Sequence, residues 1–328
     1  MKKFWKNFFK LGLLCSFLII AVFLFYFGIS FILSPVKFDK SKITNSNLSI
    51  NIFDNKQRPL EHTFINGDYV TLNQIPLNTQ QCFISIEDKM FYKHKGINYK
   101  RIVSATAKNL TSFSFKEGAS TISQQLIKNT HLSSKKSIKR KINEIKLTIE
   151  LEKNFSKDEI LEYYLNAIYF GDNCYGIQNA SEHYFSKPVS KLTLDESALL
   201  AGIIKSPNKY HPINNYKNSI KRRNIVLKEM LKDKKITEND YNESRSKQTK
   251  IIINSTNNVM NSYAKATIKE AQEILHLPEK YLALGGYRIF TYMDKTKQDA
   301  LENCIYNNEN YNCSMISQNV NTGVIEAY

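Results

Sequence analysis

Glu87 and Asp88 stand side by side in Ile86-Glu87-Asp88-Lys89-Met90-Phe91-Tyr92-Lys93-His94-Lys95-Gly96. Adjacent carboxylates repel, and apolar neighbours disfavour ionisation. Both effects can raise a carboxyl pKa toward the range of a general base. The alternative for such a pair is the first turn of a helix, facing solvent and the helix dipole. Downstream, Glu117-Gly118-Ala119-Ser120-Thr121-Ile122-Ser123-Gln124-Gln125-Leu126-Ile127-Lys128-Asn129 adds hydroxyls, three neutral amides and a cation. Gln124 and Gln125 suit a sugar or the positioning of a carboxylate, although a solvated Gln pair is the common case. A third acid, Glu144, lies one helical turn after Arg140; taken alone, that pair reads as a surface ion pair.

These residues need helices to hold them. Leu77 to Tyr92 is expected to be helical and to carry the first acid pair. Residues 109–118 are expected to be a mobile loop that exposes two Phe, unless both tuck into the core. Ser120 to Leu132 is expected to be a helix with Ile122, Leu126 and Ile127 inward. Ser137 to Leu151 repeats Ile138, Ile142, Ile145 and Ile149 on one face. Ser156-Lys157-Asp158-Glu159 and Thr193-Leu194-Asp195-Glu196 are capping boxes, each opening a further helix. Ser197 to Gly202 is built of small residues that allow close packing, Ser206 to Pro212 breaks the chain, and Lys217 to Lys232 is helical again. After residue 236 the chain turns polar and rich in Asn and Lys. Ser49 to Phe53 and Tyr287 to Met293 alternate like strands, and Met315 to Tyr328 forms a hairpin around Asn321-Thr322-Gly323.

The chain has 328 residues, 42% of them apolar, and a formal net charge of +16. Length and apolar content support a folded core. The charge favours phosphate-bearing partners, part of it being a compositional bias toward Lys. The Lys residues are dispersed, and neither zinc-finger spacing nor an aromatic RNA-binding signature is present, so nucleic acid is not expected. Of five cysteines, Cys304 and Cys313 alone are close enough in sequence to suggest a bridge, and no metal spacing appears. Leu11 to Leu33 is long and apolar enough to cross a bilayer. Lys2, Lys3, Lys6 and Lys10 precede it, which places the N-terminus in the cytoplasm. The run exceeds a signal-peptide core and ends at Leu33-Ser34-Pro35 without a small-residue cleavage pattern. An uncleaved anchor is therefore expected, with everything after Pro35 outside.

The pattern resembles the family 51 glycosyltransferases, which include the glycan-polymerising domain of class A penicillin-binding proteins and the monofunctional transglycosylases. The resemblance is carried by Glu87, Asp88, Phe91, His94 and Gly96, and then by Gly118, Ser120 to Ile122, Gln124, Gln125, Lys128 and Asn129. Arg140, Lys141 and Glu144 follow, then Ile160 to Glu162, Tyr164 to Asn166 and Gly171, and finally Ser206 to Pro212 and Arg222 to Leu227. All occur in the family's order. One departure is Lys89-Met90, where the family often places an Arg; Lys keeps the charge without the fork geometry.

The resemblance implies a mainly α, lysozyme-like helical glycosyltransferase domain over residues 36–235. It would stand behind a cytoplasmic tail (1–10) and a transmembrane helix (11–33), in the bacterial cytoplasmic membrane. Residues 236–328 would be a small α/β remnant, the linker and start of a truncated transpeptidase domain. No crosslinking activity is expected, because the Ser-x-x-Lys strings at Ser133, Ser206 and Ser244 precede that portion and Lys-Thr-Gly is missing. The implied reaction is polymerisation of lipid II into β-1,4 glycan with inversion and release of undecaprenyl pyrophosphate. Glu87 would be the base and Glu144 the second essential carboxylate. Lys128 and Lys136, followed by Arg140 and Arg222, would meet pyrophosphate. Asp88, Phe91, His94, Ser120, Thr121, Gln124, Gln125 and Asn166 would complete the substrate subsites. No cofactor would be required, and Mg²⁺ or Mn²⁺ would be held partly by the substrate pyrophosphate. Partners would be lipid II, nascent glycan, the membrane and other cell-wall synthesis proteins. The alternatives are a glycan-cleaving lytic transglycosylase and an inactive anchored scaffold.

Overall fold

The computed structural model describes residues 18, 22, 25, 26, 28–31, 33, 35–44, 51–60, 69–112, 120–132, 137–172, 174–252, 262–276, 282, 287–306 and 314–328. Most of the apolar run 11–33 lies outside the described residues; those within it that are described are helical. Among the described residues, no helix is long and apolar enough to cross a membrane. Cys313, Lys136, Gly118, and Phe113 and Phe115 of the expected loop also lie outside them, whereas Cys304 is exposed on the last helix, Lys295–Tyr306.

The architecture is mainly α. In order come α1 (Leu77–Glu87), α2 (Tyr99–Ser112), α3 (Ile122–His131), α4 (Ile138–Asn154), α5 (Lys157–Ala167), α6 (Ile177–Phe185), α7 (Leu194–Ile203), α8 (Tyr216–Lys232) and α9 (Glu238–Ser246). Local chemistry sets several starts. Ser156 and Glu159 cap α5 reciprocally, and Thr193 and Glu196 do the same for α7. Helix α7 packs on α1 and α8, and α3 packs on α4 and α5. Their shared core includes Phe83, Phe91, Tyr164, Phe170, Leu200 and Val226. The small residues of α7 let α8 approach: a Cβ on Gly202 would lie 3.0 Å from Cγ of Arg222.

Four expectations are corrected. First, α1 stops at Glu87, so the acid pair sits at a helix C-terminal end and not in a first turn; a separate 3-10 turn covers Phe91–Lys93. Second, residues 109–112 are the last turn of α2. Third, the buried stripe of α4 is Glu144, Leu147, Thr148 and Leu151 with Ile142, while Ile138 is 56% exposed. The Ile repeat therefore marks a face rotated from the one that packs, because Glu144 takes a core position. Fourth, the polar stretch after 236 is not a plain linker. The 1%-exposed Arg223 of α8 donates to the carbonyls of Arg245 (2.8 Å) and Lys247 (2.8 Å), to Thr249 Oγ1 (2.7 Å) and to Asn224. Thr249 Oγ1 in turn donates to Asp195 of α7 at 2.6 Å.

A second, smaller core gathers Ile52, Leu60, Tyr175, Tyr263, Ile268 and Met293. It is built on β1 (Asn51–Phe53), β2 (Arg288–Phe290), α10 (Ser262–Leu275) and α11 (Lys295–Tyr306), with the hairpin β3 (Ser317–Gln318) and β4 (Ile325–Ala327). Strands β1 and β2 pair in parallel, Ile52 opposite Ile289, so a strand ahead of the helical domain joins one behind it. Only Arg288–Phe290 of the expected longer strand is paired, since Thr291 turns its N–H and hydroxyl onto the carbonyl of Phe53.

Replacing Arg223 by Met leaves two part-buried carbonyls and a buried hydroxyl without their donor. We expect a loss of about 3 kcal/mol in stability. Hydrogen exchange should show lost protection across 238–249 ahead of α8; unchanged protection there would contradict the role given to Arg223.

Candidate active site

Asp88 ends α1 by leaving helical dihedrals (φ −156°, ψ 74°) and turning its fully buried carboxylate inward. Oδ2 lies 2.9 Å from His94 Nε2 and accepts the N–H of Ile122, the first residue of α3, at 3.1 Å. An anion there complements the positive end of the helix. Beside it Thr121 and Gln124 form a capping box, each accepting the other's backbone N–H at 3.1 Å. Thr121 Oγ1 also donates to the carbonyl of Gly96 at 2.6 Å. Gly96 has φ +84°, and a Cβ there would come within 2.8 Å of Thr148 on α4. The loop after the acid pair is thus drawn onto α3 and α4.

Glu87 is held differently. Gln125 Nε2 donates to its Oε2 at 2.7 Å, and the Gln125 carbonyl oxygen accepts from Tyr164 on α5. That second contact fixes which end of the amide faces the carboxylate. Arg101 on α2 donates to the backbone carbonyl of Glu87. Among the described residues no donor is bonded to Glu87 Oε1, which leaves an acceptor for a substrate proton. The adjacent acids therefore have separate duties, Asp88 inside the fold and Glu87 at the site.

Glu144 is 2% exposed and not a surface residue. It pairs with Lys141 and, at 4.0 Å, with Arg140 Nη1. Lys128 lies within the field of both catalytic candidates. Burial lowers its pKa most strongly; Glu144 and Glu87 oppose that, while Arg140 and Lys141 add to it. Arg222 is 7% exposed, and burial lowers its pKa against the opposing pull of Glu87 and Tyr210. Two buried donors, Arg140 Nε and Arg222 Nε, have no hydrogen-bond partner among the described residues. Buried donors are normally satisfied, so two orphaned guanidinium N–H groups, Arg140 in the field of the half-buried Lys128 and Arg222 in the field of Glu87, are suited to an anion.

The other expected site residues lie close by in supporting positions. Phe91 is fully buried, with Lys157 Nζ 4.5 Å from its ring centre. His94 is bound to Asp88, Ser120 is half-buried just ahead of the α3 cap, and the Gln124 side chain is used in that cap. Asn166 spends its amide on both backbone groups of Val70, at 3.1 and 2.8 Å. Lys89, at the family's Arg position, pairs with Glu229 and Asp233 of α8 at 2.6 and 3.0 Å. Arg101, Tyr164 and Lys141 belong to the network but are absent from the sequence-derived set. The Lys141–Glu144 spacing of one turn could have indicated Lys141, whereas Arg101 is brought in by tertiary packing alone. Among the described residues, no group of three His, Cys, Asp or Glu side chains could hold a metal ion.

Comparison with known proteins places this geometry. The family model described as Transglycosylase matches residues 56–231. The chain belongs to that family. Residues 56–231 are a peptidoglycan glycosyltransferase domain of the class A penicillin-binding protein type. The chain is 36% identical over 282 residues to penicillin-binding protein 1A of Clostridium botulinum, covering 78% of this chain and 34% of that protein. It is 39% identical over 243 residues to penicillin-binding protein 1A/1B of Bacillus subtilis, covering 71% and 26%. With penicillin-binding protein 1A of Escherichia coli the identity is 36% over 240 residues, covering 73% and 28%. The chain thus spans between 26% and 34% of the length of these relatives. A crystal structure of penicillin-binding protein 1A from Haemophilus influenzae aligns with a TM-score of 0.39 at 20% identity, covering 79% of this chain and 29% of that one.

Lys128 is the sharpest test of the anion site in this transglycosylase domain. Its folded-state pKa is lowered from 10.5. The charged amine is therefore a stability cost that is full below the folded pKa and relieved as pH rises toward the ordinary value. Lys128→Met should keep or raise the melting temperature at pH 7 while weakening inorganic pyrophosphate binding at least about tenfold, as for a lost charge-assisted contact. A lower melting temperature with unchanged binding in calorimetric titration would refute this.

Proposed function

We propose that this chain polymerises lipid II into β-1,4-linked glycan, with Glu87 as general base. The observation that carries the reading is the pairing of a tethered carboxylate having one free oxygen with buried cations whose donors await an anion. Glu87 takes the proton from the 4-hydroxyl of the acceptor GlcNAc. That oxygen attacks C1 of the donor MurNAc from the face opposite the pyrophosphate, and the C1–O bond to phosphate breaks. The new bond is β, and undecaprenyl pyrophosphate departs with the bond's electrons. Pyrophosphate leaves as an anion, so cations at the donor side substitute for a general acid. Lys128, Arg140 and Arg222 fill that role, with Lys136 as a further candidate. Glu144 holds Lys141 and Arg140 in place and is the second carboxylate of the donor site.

The lysozyme-like character of the helical domain and the anchor at 11–33 belong to the same reading. A substrate with a lipid tail is met at the bilayer surface. A single membrane helix with its N-terminus inside would keep the outer domain there.

The test is turnover of labelled lipid II by the detergent-solubilised chain, beside Glu87→Gln. We expect long glycan from the parent and a drop on the order of 10³-fold in the variant, the scale of a lost general base. Cleavage of finished glycan without polymerisation would point to a lytic enzyme. A folded parent without either activity would point to a scaffold.

A further inference from the structure

Asp172 stands apart from the carboxylates above. It follows Gly171 in the loop between α5 and α6, and its backbone is left-handed at φ +47°. Among residues with a side chain, Asp and Asn are those that visit this region most readily. Each of its oxygens takes one imidazole: Oδ1 lies 2.7 Å from His211 Nε2, and Oδ2 lies 3.1 Å from His183 Nε2. Tyr184 packs edge-on against both rings, and Cys174 Sγ donates to the Asp172 carbonyl.

His211 carries the clasp onward. Its Nδ1 accepts the N–H groups of Ile213 and Asn214, both at 3.2 Å. The ring proton is therefore assigned to Nε2, which donates it to Asp172. The His211 carbonyl accepts the N–H of Asn215 at 2.8 Å, and Asn215 is the cap residue of α8. Asn215 Nδ2 reaches back to the carbonyl of Asn208 at 3.0 Å. The turn from Ser206 to His211 is thereby tied at one end to Asp172 and at the other to the helix that bears Arg222.

Tyr210, next to His211, projects from this turn onto that helix. Its ring centre is 5.8 Å from Arg222 Cζ and 5.7 Å from Lys209 Nζ. A guanidinium held against a ring keeps its N–H edge for an in-plane acceptor, the geometry that phosphate oxygens require. The orphaned Nε of Arg222 lies on this group.

We propose that Asp172, acting through His211, positions Tyr210 against Arg222 and so fixes this arginine as a pyrophosphate-binding group. Asp172 and His211 are positioning residues, and Tyr210 is the cover they place. The inference rests on the glycosyltransferase reading above and adds residues whose spacing in the sequence suggested nothing of this kind.

The experiment uses the full chain in detergent, with inorganic pyrophosphate as probe and lipid II for kinetics. Asp172→Ala and Tyr210→Leu should each weaken pyrophosphate binding and raise KM about tenfold with kcat within about threefold. The double variant should be no worse than either single one, because the two act in series. Asp172→Asn, which keeps an acceptor for His211, and Tyr210→Phe, which keeps the ring, should stay close to the parent. Losses that multiply in the double variant would overturn the proposal. So would an Asp172→Ala protein that melts earlier yet binds pyrophosphate normally. In both cases an active parent leaves the glycosyltransferase reading standing, whereas a folded parent that neither binds pyrophosphate nor polymerises lipid II overturns both.

Discussion

The fold of the site depends on one buried carboxylate. Asp88 ends α1, takes the imidazole of His94 and binds the first N–H of α3. Each contact could be made elsewhere, but together they fix where α1 stops and where α3 begins. Glu87 is then the last helical residue, with its side chain beside Gln125, one residue past the α3 capping box. A buried carboxylate is costly unless its lone pairs are used, and here a ring nitrogen and a helix N-terminus both use them. The buried acid thus determines the placement of the one that faces the site.

The donor side is built on the opposite principle. Asp88 is satisfied within the protein, whereas Arg140 Nε and Arg222 Nε are buried without partners, and burial lowers the pKa of Lys128. Such groups destabilise the empty fold. The surrounding structure tolerates them because each stands on a well-capped or tightly packed helix: α3 on Thr121, α4 on Ser137, and α8 against the glycine of α7. An incoming anion would relieve both the charge and the hydrogen-bond deficit.

Much of this was legible in the sequence. The capping boxes announced α5 and α7, because a cap is a local interaction between residues three apart; the Thr121–Gln124 box of α3 is equally local and went unread. The pairing of Glu87 with a Gln of the second motif was anticipated in kind, since an amide is a natural tether for a carboxylate. The separate duties of Glu87 and Asp88 were not legible. They depend on a non-helical backbone at Asp88 and on partners from α3. The Ile repeat in α4 misdirected the choice of buried face, because periodicity counts apolar residues and cannot register a Glu in a core position. Arg101 and the Asp172–His211 contact join residues far apart in the chain with no local pattern. The polar composition after 236 concealed α9, which is held by Arg223, by the Thr237–Asp240 cap and by Tyr241 packed on the core.

Helix α3 also ties the site to the N-terminal stem, residues 35–44. His131 closes α3, and its Nε2 meets both backbone groups of Asp39, at 3.0 Å to the carbonyl and 3.3 Å to the N–H. Phe38 stacks on the same imidazole, with ring centres 5.4 Å apart. Three residues earlier on that helix is Lys128, and three before it Gln125. One helix therefore carries the tether of the base, the cation of the donor side and the attachment of the stem. A rigid helix rises ~1.5 Å per residue, so the separation between stem and site is set by its length and not by a loop. Because Gln125 and Lys128 share α3 with His131, the same helix fixes their spacing from the stem and from each other.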